Sequence, residues 1–255
     1  MILYKYLIPD RIDVLQKGRI RFTQADALND PFEINPCILE FMEGAKEYAS
    51  TKYKGPPLTH EQIEIYARQE AGRFLKRLFP DYLILSLSRR NNSRLMWSHY
   101  AACHHGMVLG FDSSSPFFAH WSRGKKTPLF DVEYSNTRFV LPKAETWTND
   151  NVMGLFLRKS DDWAYEEEVR LFARSHAANE VLNLPSGELL YLFDFPGESL
   201  KEVIFGVLGD DEHRNTVMRI AREKYPHLRF FQAMLNEVNF DLEIEEFGPR
   251  VENPK

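Results

Sequence analysis

Cysteine is almost missing from this chain. Cys37 and Cys103 stand far apart without C-x-x-C spacing, which excludes a disulfide framework and suits a reducing compartment. Long apolar runs are missing too. No stretch approaches the roughly 18 residues of a membrane span, and M-I-L-Y-K-Y-L-I-P-D has no basic segment ahead of an apolar one. A cytoplasmic protein with no signal peptide and no membrane contact is expected. Positive charge is not in excess: the formal net charge of -5 argues against a broadly basic nucleic-acid binder, while leaving room for a local basic groove. The signatures G-x-x-x-x-G-K-[ST], G-x-G-x-x-G after a strand, G-x-S-x-G and H-E-x-x-H are all absent, and no repeat or low-complexity tract stands in their place.

What is there describes a folded chain. With 255 residues, 44% hydrophobic and 13% aromatic, it can bury a sizeable core. Ile2 to Leu7 and Arg19 to Thr23 read as strands, with Gly18 stopping a short helix between them. Residues 37 to 57 carry no clear period. The period over Leu58 to Leu78, with Thr59 and Gln62 at capping-box spacing, predicts a long amphipathic helix packed over a sheet. Further strands are predicted at Leu83 to Ser88, Met107 to Asp112, Leu129 to Tyr134, Glu188 to Phe195, Glu202 to Phe205, Leu228 to Ala233 and Val238 to Ile244. Further helices are predicted over Arg94 to His104, Asp150 to Arg158 and Glu212 to Lys224. Strands outnumber helices and seldom alternate with them, so the expected class is α+β with a mostly antiparallel or mixed sheet flanked by helices. One domain over residues 1–247 is expected, with a helical insertion around 37–80 and a mobile tail at 248–255.

Several small groups of residues carry chemistry. Asn29 to Glu33 is turn chemistry, read structurally as a buried loop pinned by Phe32. His99 and Cys103 stand at i, i+4 on the predicted helix, but no second His/Cys cluster accompanies them, and no metal is expected. His104 and His105 fall near that helix's C-terminus, where the dipole favours their charged form and suits a phosphate. Arg89, Arg90 and Arg94, with the loop holding Arg123, Lys125 and Lys126, offer a local basic track.

The stretch Lys159 to Arg174, K-S-D-D-W-A-Y-E-E-E-V-R-L-F-A-R, concentrates the most. If Tyr165 to Ala173 is extended, Glu166, Glu168 and Arg170 share one face, and Tyr165, Val169, Leu171 and Ala173 the other. Two carboxylates about 7 Å apart raise each other's pKa unless Arg170 or a ligand compensates. The plain reading is a solvated strand face with a cross-strand ion pair. The sharper one is a carboxylate site on a rigid strand, walled by Trp163 and Tyr165.

Together these pieces resemble a known pattern. It comprises Y-K-Y in the first strand, L-N-D-P-F-E, a serine-ended L-S strand, M-W-S-H-Y-A followed by H-G and F-D, and K-x-x-x-W-x-Y-E-x-E-x-R. From Tyr4 to Arg170, and more loosely through I-F-G at Ile204 to Gly206, the chain is similar to the bacterial, mostly uncharacterised domain-of-unknown-function family 2971. That family in turn looks like the ADP-ribosyltransferase group. Enzymes of that group clamp NAD in a split, mostly antiparallel sheet with a first-strand Arg or His, a middle-strand Ser or Tyr and a late-strand Glu, often as E-x-E.

The resemblance implies Glu168 as the catalytic carboxylate, stabilising the oxocarbenium-like ribose left when nicotinamide departs. It implies Glu166 as the group that orients or deprotonates the acceptor, and Ser88 as the middle-strand serine. Lys5 and Tyr6 stand where Arg or His would. Tyr6, Tyr100 or Trp163 would stack on nicotinamide, and Lys5, Arg94 or His105 would bind the pyrophosphate, with His99 beside them in the NAD-binding set. The expected function is an NAD-consuming ADP-ribosyltransferase of the glycosyltransferase class, a bacterial toxin or antiviral phage-defence effector modifying a nucleic acid or protein. An antitoxin or inhibitor protein is the partner such a setting implies. Two other readings stand beside it: a hydrolase or nuclease holding magnesium with Asp30, Glu33, Glu166 and Glu168, and a non-catalytic binding module in which the same residues form a buried ion-pair network.

Overall fold

The computed structural model describes residues 1–118, 129–142 and 148–248; the predicted basic patch Arg123, Lys125 and Lys126 and the tail beyond Gly248 lie outside the described residues. The apolar strand β1 (Ile2–Leu7) leads through a short 3-10 turn to α1 (Asp13–Lys17), which Gly18 ends with a left-handed φ of 67° before β2 (Arg19–Gln24). Then come α2 (Leu39–Thr51), α3 (His60–Leu78), β3 (Leu83–Ser88), α4 (Arg94–Tyr100), β4 (Met107–Asp112), β5 (Phe130–Asp131) and β6 (Glu133–Tyr134). The chain continues with α5 (Asn149–Leu157), β7 (Arg158–Lys159), β8 (Glu168–Ala173), β9 (Glu180–Asn183), β10 (Leu189–Asp194), β11 (Leu200–Phe205), α6 (Asp211–Lys224), β12 (Arg229–Leu235) and β13 (Leu242–Phe247). The class is α+β, with helices flanking a mixed, mostly antiparallel sheet. Among the described strands only β11–β12 and β6–β7 pair in parallel, beside an isolated parallel bridge between Cys37 and Val140. No helix among them is long and apolar enough to cross a membrane.

The main sheet runs β13-β12-β11-β4-β1-β3-β2-β10-β9, and β8 and β5 branch from it. A strand has two edges, and β3 has three partners. Its first edge pairs with β8 along its whole length, from Leu83 opposite Ala173 to Ser88 opposite Glu168. Its second edge is divided: β1 meets it at Tyr4–Ser88, and β2 at Thr23–Ile84 and Gln24–Leu83. Between those contacts the sheet opens. There Lys5 Nζ donates 2.9 Å to the Ser86 carbonyl, a side chain supplying the donor that a neighbouring strand otherwise would.

Alternation along the strands separates two faces. Leu85, Leu87, Val169, Leu171, Leu109 and Phe193 join a large core with α1 and α6. On the opposite face Tyr6, Trp97, Val108 and Ile204 pack with α4, while Ile84 and Phe172 pack with α5. The helix α3 carries the predicted capping box, formed in both directions by Thr59 and Gln62. It does not lie over the sheet as expected. Its stripe is covered by α2, with Tyr48 stacked on Tyr66 at 5.5 Å and Phe41 against Phe74 at 6.1 Å, and only Leu75 and Leu78 reach the α5 cluster.

Three boundaries differ from their sequence patterns for identifiable reasons. The strand expected over Leu129 to Tyr134 breaks at Val132, where the chain passes from pairing with β8 to pairing with β7. The one expected from Val238 starts at Leu242, because the Asn236 side chain takes the amides of Val238 and Asn239, each at 2.8 Å, into a turn. The helix expected to run to His104 ends at Tyr100, since Ala102, Cys103 and His104 all adopt positive φ (47°, 52° and 71°). That left-handed run turns the His104 carbonyl toward the Leu208 amide, 3.0 Å away. It leaves room only for glycine opposite: a Cβ on Gly206 would stand 2.1 Å from the His104 oxygen. Gly206→Ala is therefore expected to destabilise by about 3 kcal/mol, read as a lowered melting temperature; an unchanged melt would mean that the turn relaxes freely.

Candidate active site

The strand β8 sets the first two side chains. Glu168, Arg170 and Phe172 point to one face, opposite Ser88, Ser86 and Ile84 of β3. That face is not solvated: Glu166, Glu168 and Arg170 are only 3%, 5% and 1% exposed. Buried charge of this kind needs partners. Phe172, apolar on the charged face, belongs to the α5 cluster.

Glu166 reaches the site by another route. The extended segment expected from Tyr165 begins only at Glu168; Asp161–Glu166 is a 3-10 helix closed by Glu167 in the left-handed region at φ 43°. That reversal turns Glu167 toward solvent and Glu166 inward, so both glutamates of the E-x-E face the site without strand alternation between them. Ser88 holds the turn in place. Its hydroxyl donates to the Glu166 carbonyl at 2.6 Å and accepts from the Arg90 amide at 3.0 Å.

The partners are Lys159, at the end of β7, and Glu33, from the loop after β2. Lys159 Nζ lies 2.6 Å from Glu166, 3.1 Å from Glu168 and 3.2 Å from Glu33. Arg170 binds Glu168 through Nε at 2.7 Å and Nη2 at 3.0 Å, reaches Glu33 with Nη2, and donates Nη1 to the Phe156 carbonyl at 2.6 Å. The loop that delivers Glu33 is not pinned by Phe32, which is 66% exposed. It is pinned by buried Asp30, whose carboxylate accepts from the Phe32 amide at 2.8 Å.

These contacts drive the two carboxylates of the pair apart. Burial works against the charge of Glu168, but Arg170 and Lys159 hold its carboxyl well below the usual range. For Glu166 burial prevails over Lys159, and its carboxyl is pushed up. Lys159 keeps its proton more firmly than an ordinary lysine because Glu168, Glu33 and Glu166 outweigh its burial. Burial alone raises the phenol of Tyr100, which donates 2.7 Å to Glu166 Oε1, and the Glu166 charge adds to the effect.

The opening between β1 and β3 ends at this cluster as a cavity of about 210 Å³, lined by Lys5, Tyr6, Ser88, Tyr100, Glu166 and Glu168 among others. Residues 96–171 match the model of a family described as a protein of unknown function, DUF2971. No curated protein and no solved structure matches the chain.

The match supports the expected likeness to domain-of-unknown-function family 2971 through M-W-S-H-Y-A, H-G, F-D and K-x-x-x-W-x-Y-E-x-E-x-R, while Y-K-Y, L-N-D-P-F-E and L-S lie ahead of it. It contains Tyr100, Lys159, Glu166, Glu168 and Arg170, while Lys5, Tyr6 and Glu33 come from strands and loops ahead of it. Burial pushes the amine of Lys5 down to about 8. Two other expected residues, His99 and Trp163, line a neighbouring cavity of about 700 Å³, which shares Glu33 and Lys159 with the first. Arg94 and His105 are exposed and line neither cavity. His104 is not the helix-end cation expected, since α4 stops short of it and burial lowers its pKa. The same early stop removes the i, i+4 relation of His99 and Cys103. Among the described residues no group of three His, Cys, Asp or Glu is placed to hold a metal ion.

Lys159 is the residue that sequence reasoning passed over. Its only signal was its place at the head of the K-x-x-x-W-x-Y-E-x-E-x-R pattern within the DUF2971 match. Tyr134, whose hydroxyl accepts from the Glu168 amide at 2.8 Å, left none.

Proposed function

We propose that this chain is an NAD-dependent ADP-ribosyltransferase whose donor site is the opening between β1 and β3. The observation that carries the reading is the convergence there of Lys5, Tyr6, Ser88, Tyr100 and the two glutamates on one cavity. At about 210 Å³ it suits a ring and its sugar rather than a whole dinucleotide, since pockets that enclose drug-sized ligands run to roughly 300–1,000 Å³. NAD would supply a ribosyl group that gains positive charge as nicotinamide leaves. Within the cluster, Glu33, Glu166 and Glu168 against Lys159 and Arg170 leave one negative charge in excess when all are ionised, opposite in sign to the charge that develops; Lys5, the further cation on the cavity, offsets it when protonated. Glu168, fixed as the anion by Arg170, provides the permanent field. Glu166, with its raised pKa, is the member able to take up or give a proton, and Tyr100 orients it. Tyr6 offers an aromatic wall and Lys5 a cation for the carboxamide or phosphate end.

Calorimetric titration with NAD, together with nicotinamide release in cell extract, tests the reading. Binding with release supports it; neither, from folded protein, removes it. Lys5→Met separates function from stability. Because Lys5 has a folded pKa near 8 against an ordinary 10.5, wild-type stability gains as pH rises through that window. The Met variant is expected to lose NAD binding while gaining about 1–2 kcal/mol at pH 7, the relief of desolvation less the hydrogen bond to Ser86.

The non-catalytic reading has one observation in its favour: every member of the cluster already has a partner inside the protein. It predicts the same folding effects with no NAD dependence. The metal-hydrolase reading is the weaker one, because Glu33, Glu166 and Glu168 are directed at Lys159 and Arg170 rather than at a shared open position.

A further inference from the structure

The larger cavity, about 700 Å³, has walls of a different kind. On one side His99, Trp163 and Tyr165 pack at ring separations of 6.0–6.1 Å, tied by a 2.9 Å hydrogen bond between His99 Nδ1 and the Tyr165 hydroxyl. Across the rim stands Phe32, a large apolar ring left 66% exposed by a loop that Asp30 and Glu33 hold rigidly. The loop's anchors are its acids, and the ring itself meets Arg138, whose guanidinium lies over it at 5.9 Å and donates Nε, at 2.8 Å, and Nη2 to the Asn35 carbonyl, with Nη1, among the described residues, left for a ligand. Arg158 binds Glu133 at 3.0 Å, yet its Nε is buried and has no hydrogen-bond partner among the described residues. Asn136 is exposed on the same wall.

Flat aromatic faces beside guanidinium groups and an exposed amide make up the chemistry that recognises a base carrying a phosphate. The competing acids are largely engaged, Asp30 with the Phe32 amide and Glu33 with Lys159 and Arg170; Asp162 alone lies on the cavity with only a hydroxyl contact, to Ser160 at 3.3 Å. We propose that this cavity binds a nucleoside phosphate, its base stacked on Phe32 and the Trp163 wall and its phosphate met by Arg138 and Arg158, at a site that adjoins the donor cavity across Glu33 and Lys159. A free mononucleotide and a single-stranded nucleic acid share this chemistry. A peptide does not: the aromatic walls would accept its side chains, but the arginines would have no phosphate to meet. The proposal stands whether or not the donor cavity takes NAD.

The test titrates the whole protein with AMP, GMP, CMP and UMP by calorimetry, and with short fluorescent single-stranded DNA and RNA by anisotropy. Each titration is run with and without saturating NAD. Binding is expected, with affinity lowered about 5- to 100-fold in Phe32→Ala, the range for loss of a base–aromatic stack, and with an unchanged melting temperature because the ring is exposed. Affinity should fall only weakly with salt, in keeping with few phosphate contacts. Binding of mononucleotides would name the free nucleotide as ligand; binding of strands alone would name the nucleic acid. No binding of either, binding indifferent to Phe32→Ala, or complete displacement by NAD would overturn the proposal, as would modification of a protein by a chain that binds no nucleotide. Loss of nicotinamide release with nucleotide binding intact would instead remove the transferase reading and leave this one standing.

Discussion

Replacing Lys159 with Met is expected to destabilise the protein by about 3–5 kcal/mol, measured as a lowered urea midpoint with little change in slope. The reason is the loss of one shared cation from a cluster of three carboxylates. Lys159 is buried and lies within 3.2 Å of Glu33, Glu166 and Glu168, so its removal leaves Glu166 with only the Tyr100 hydroxyl and Glu33 with only Arg170. A neutral side chain of similar length fills the space without answering the charge. The partner test is the double variant with Glu33→Gln, which removes one of the stranded carboxylates and should recover part of the loss. A single-variant loss below about 1 kcal/mol would mean that water reaches the cluster and screens it. The pH dependence carries a sign of its own. Because Glu168 is held below the ordinary carboxylate value of 4.5, its share of the stability is present above that pH and fades on acidification through the lower folded value.

Glu168→Gln is expected to lower nicotinamide release by about 10²- to 10³-fold while NAD binding changes by only a few fold. Glutamine keeps the shape and one acceptor oxygen, so the variant should fold, as circular dichroism would check. What it loses is the fixed negative charge in the donor cavity. Glu166→Gln makes the contrast. Since burial already favours a neutral Glu166, its amide should be tolerated at little cost to folding, while transfer to an acceptor falls more than release of nicotinamide. If Glu168→Gln released nicotinamide at the wild-type rate, Glu168 would be a structural member of the cluster and nothing more.

The parts of the fold that were legible in the sequence are those set by local chemistry. The capping box of α3 and the serine-ended strand β3 depend on neighbours within a few residues, and they appear where the pattern put them. The α2–α3 pairing could not be read, because a stripe of Tyr66, Ala67, Ala71 and Phe74 looks the same whether a helix or a sheet covers it. The E-x-E was visible as a motif but not as a geometry. Strand alternation and a left-handed Glu167 both deliver Glu166 and Glu168 to one side, and glutamate at positive φ leaves no trace in composition. Arg170 could be anticipated as a counter-charge from its place on the same strand face. Lys159 and Glu33 could not, because their meeting depends on how β7 and the loop after β2 are brought against β8, a property of the whole sheet rather than of any window along the chain.

The outermost strand also bears on how the molecule behaves in company. Among the described residues nothing pairs with the outer side of β13, the end of an eleven-stranded sheet, and the row of backbone groups there is the template on which foreign strands add. In β13 the exposed positions are Glu243, Glu245 and Glu246. A second copy approaching edge to edge would bring rows of carboxylates face to face, and their repulsion guards the backbone that the fold leaves bare. The guard is electrical, so it weakens in strong salt. Concentrated samples should therefore keep best at modest ionic strength, and strong salt should turn the sheet's own edge into a seed for aggregation.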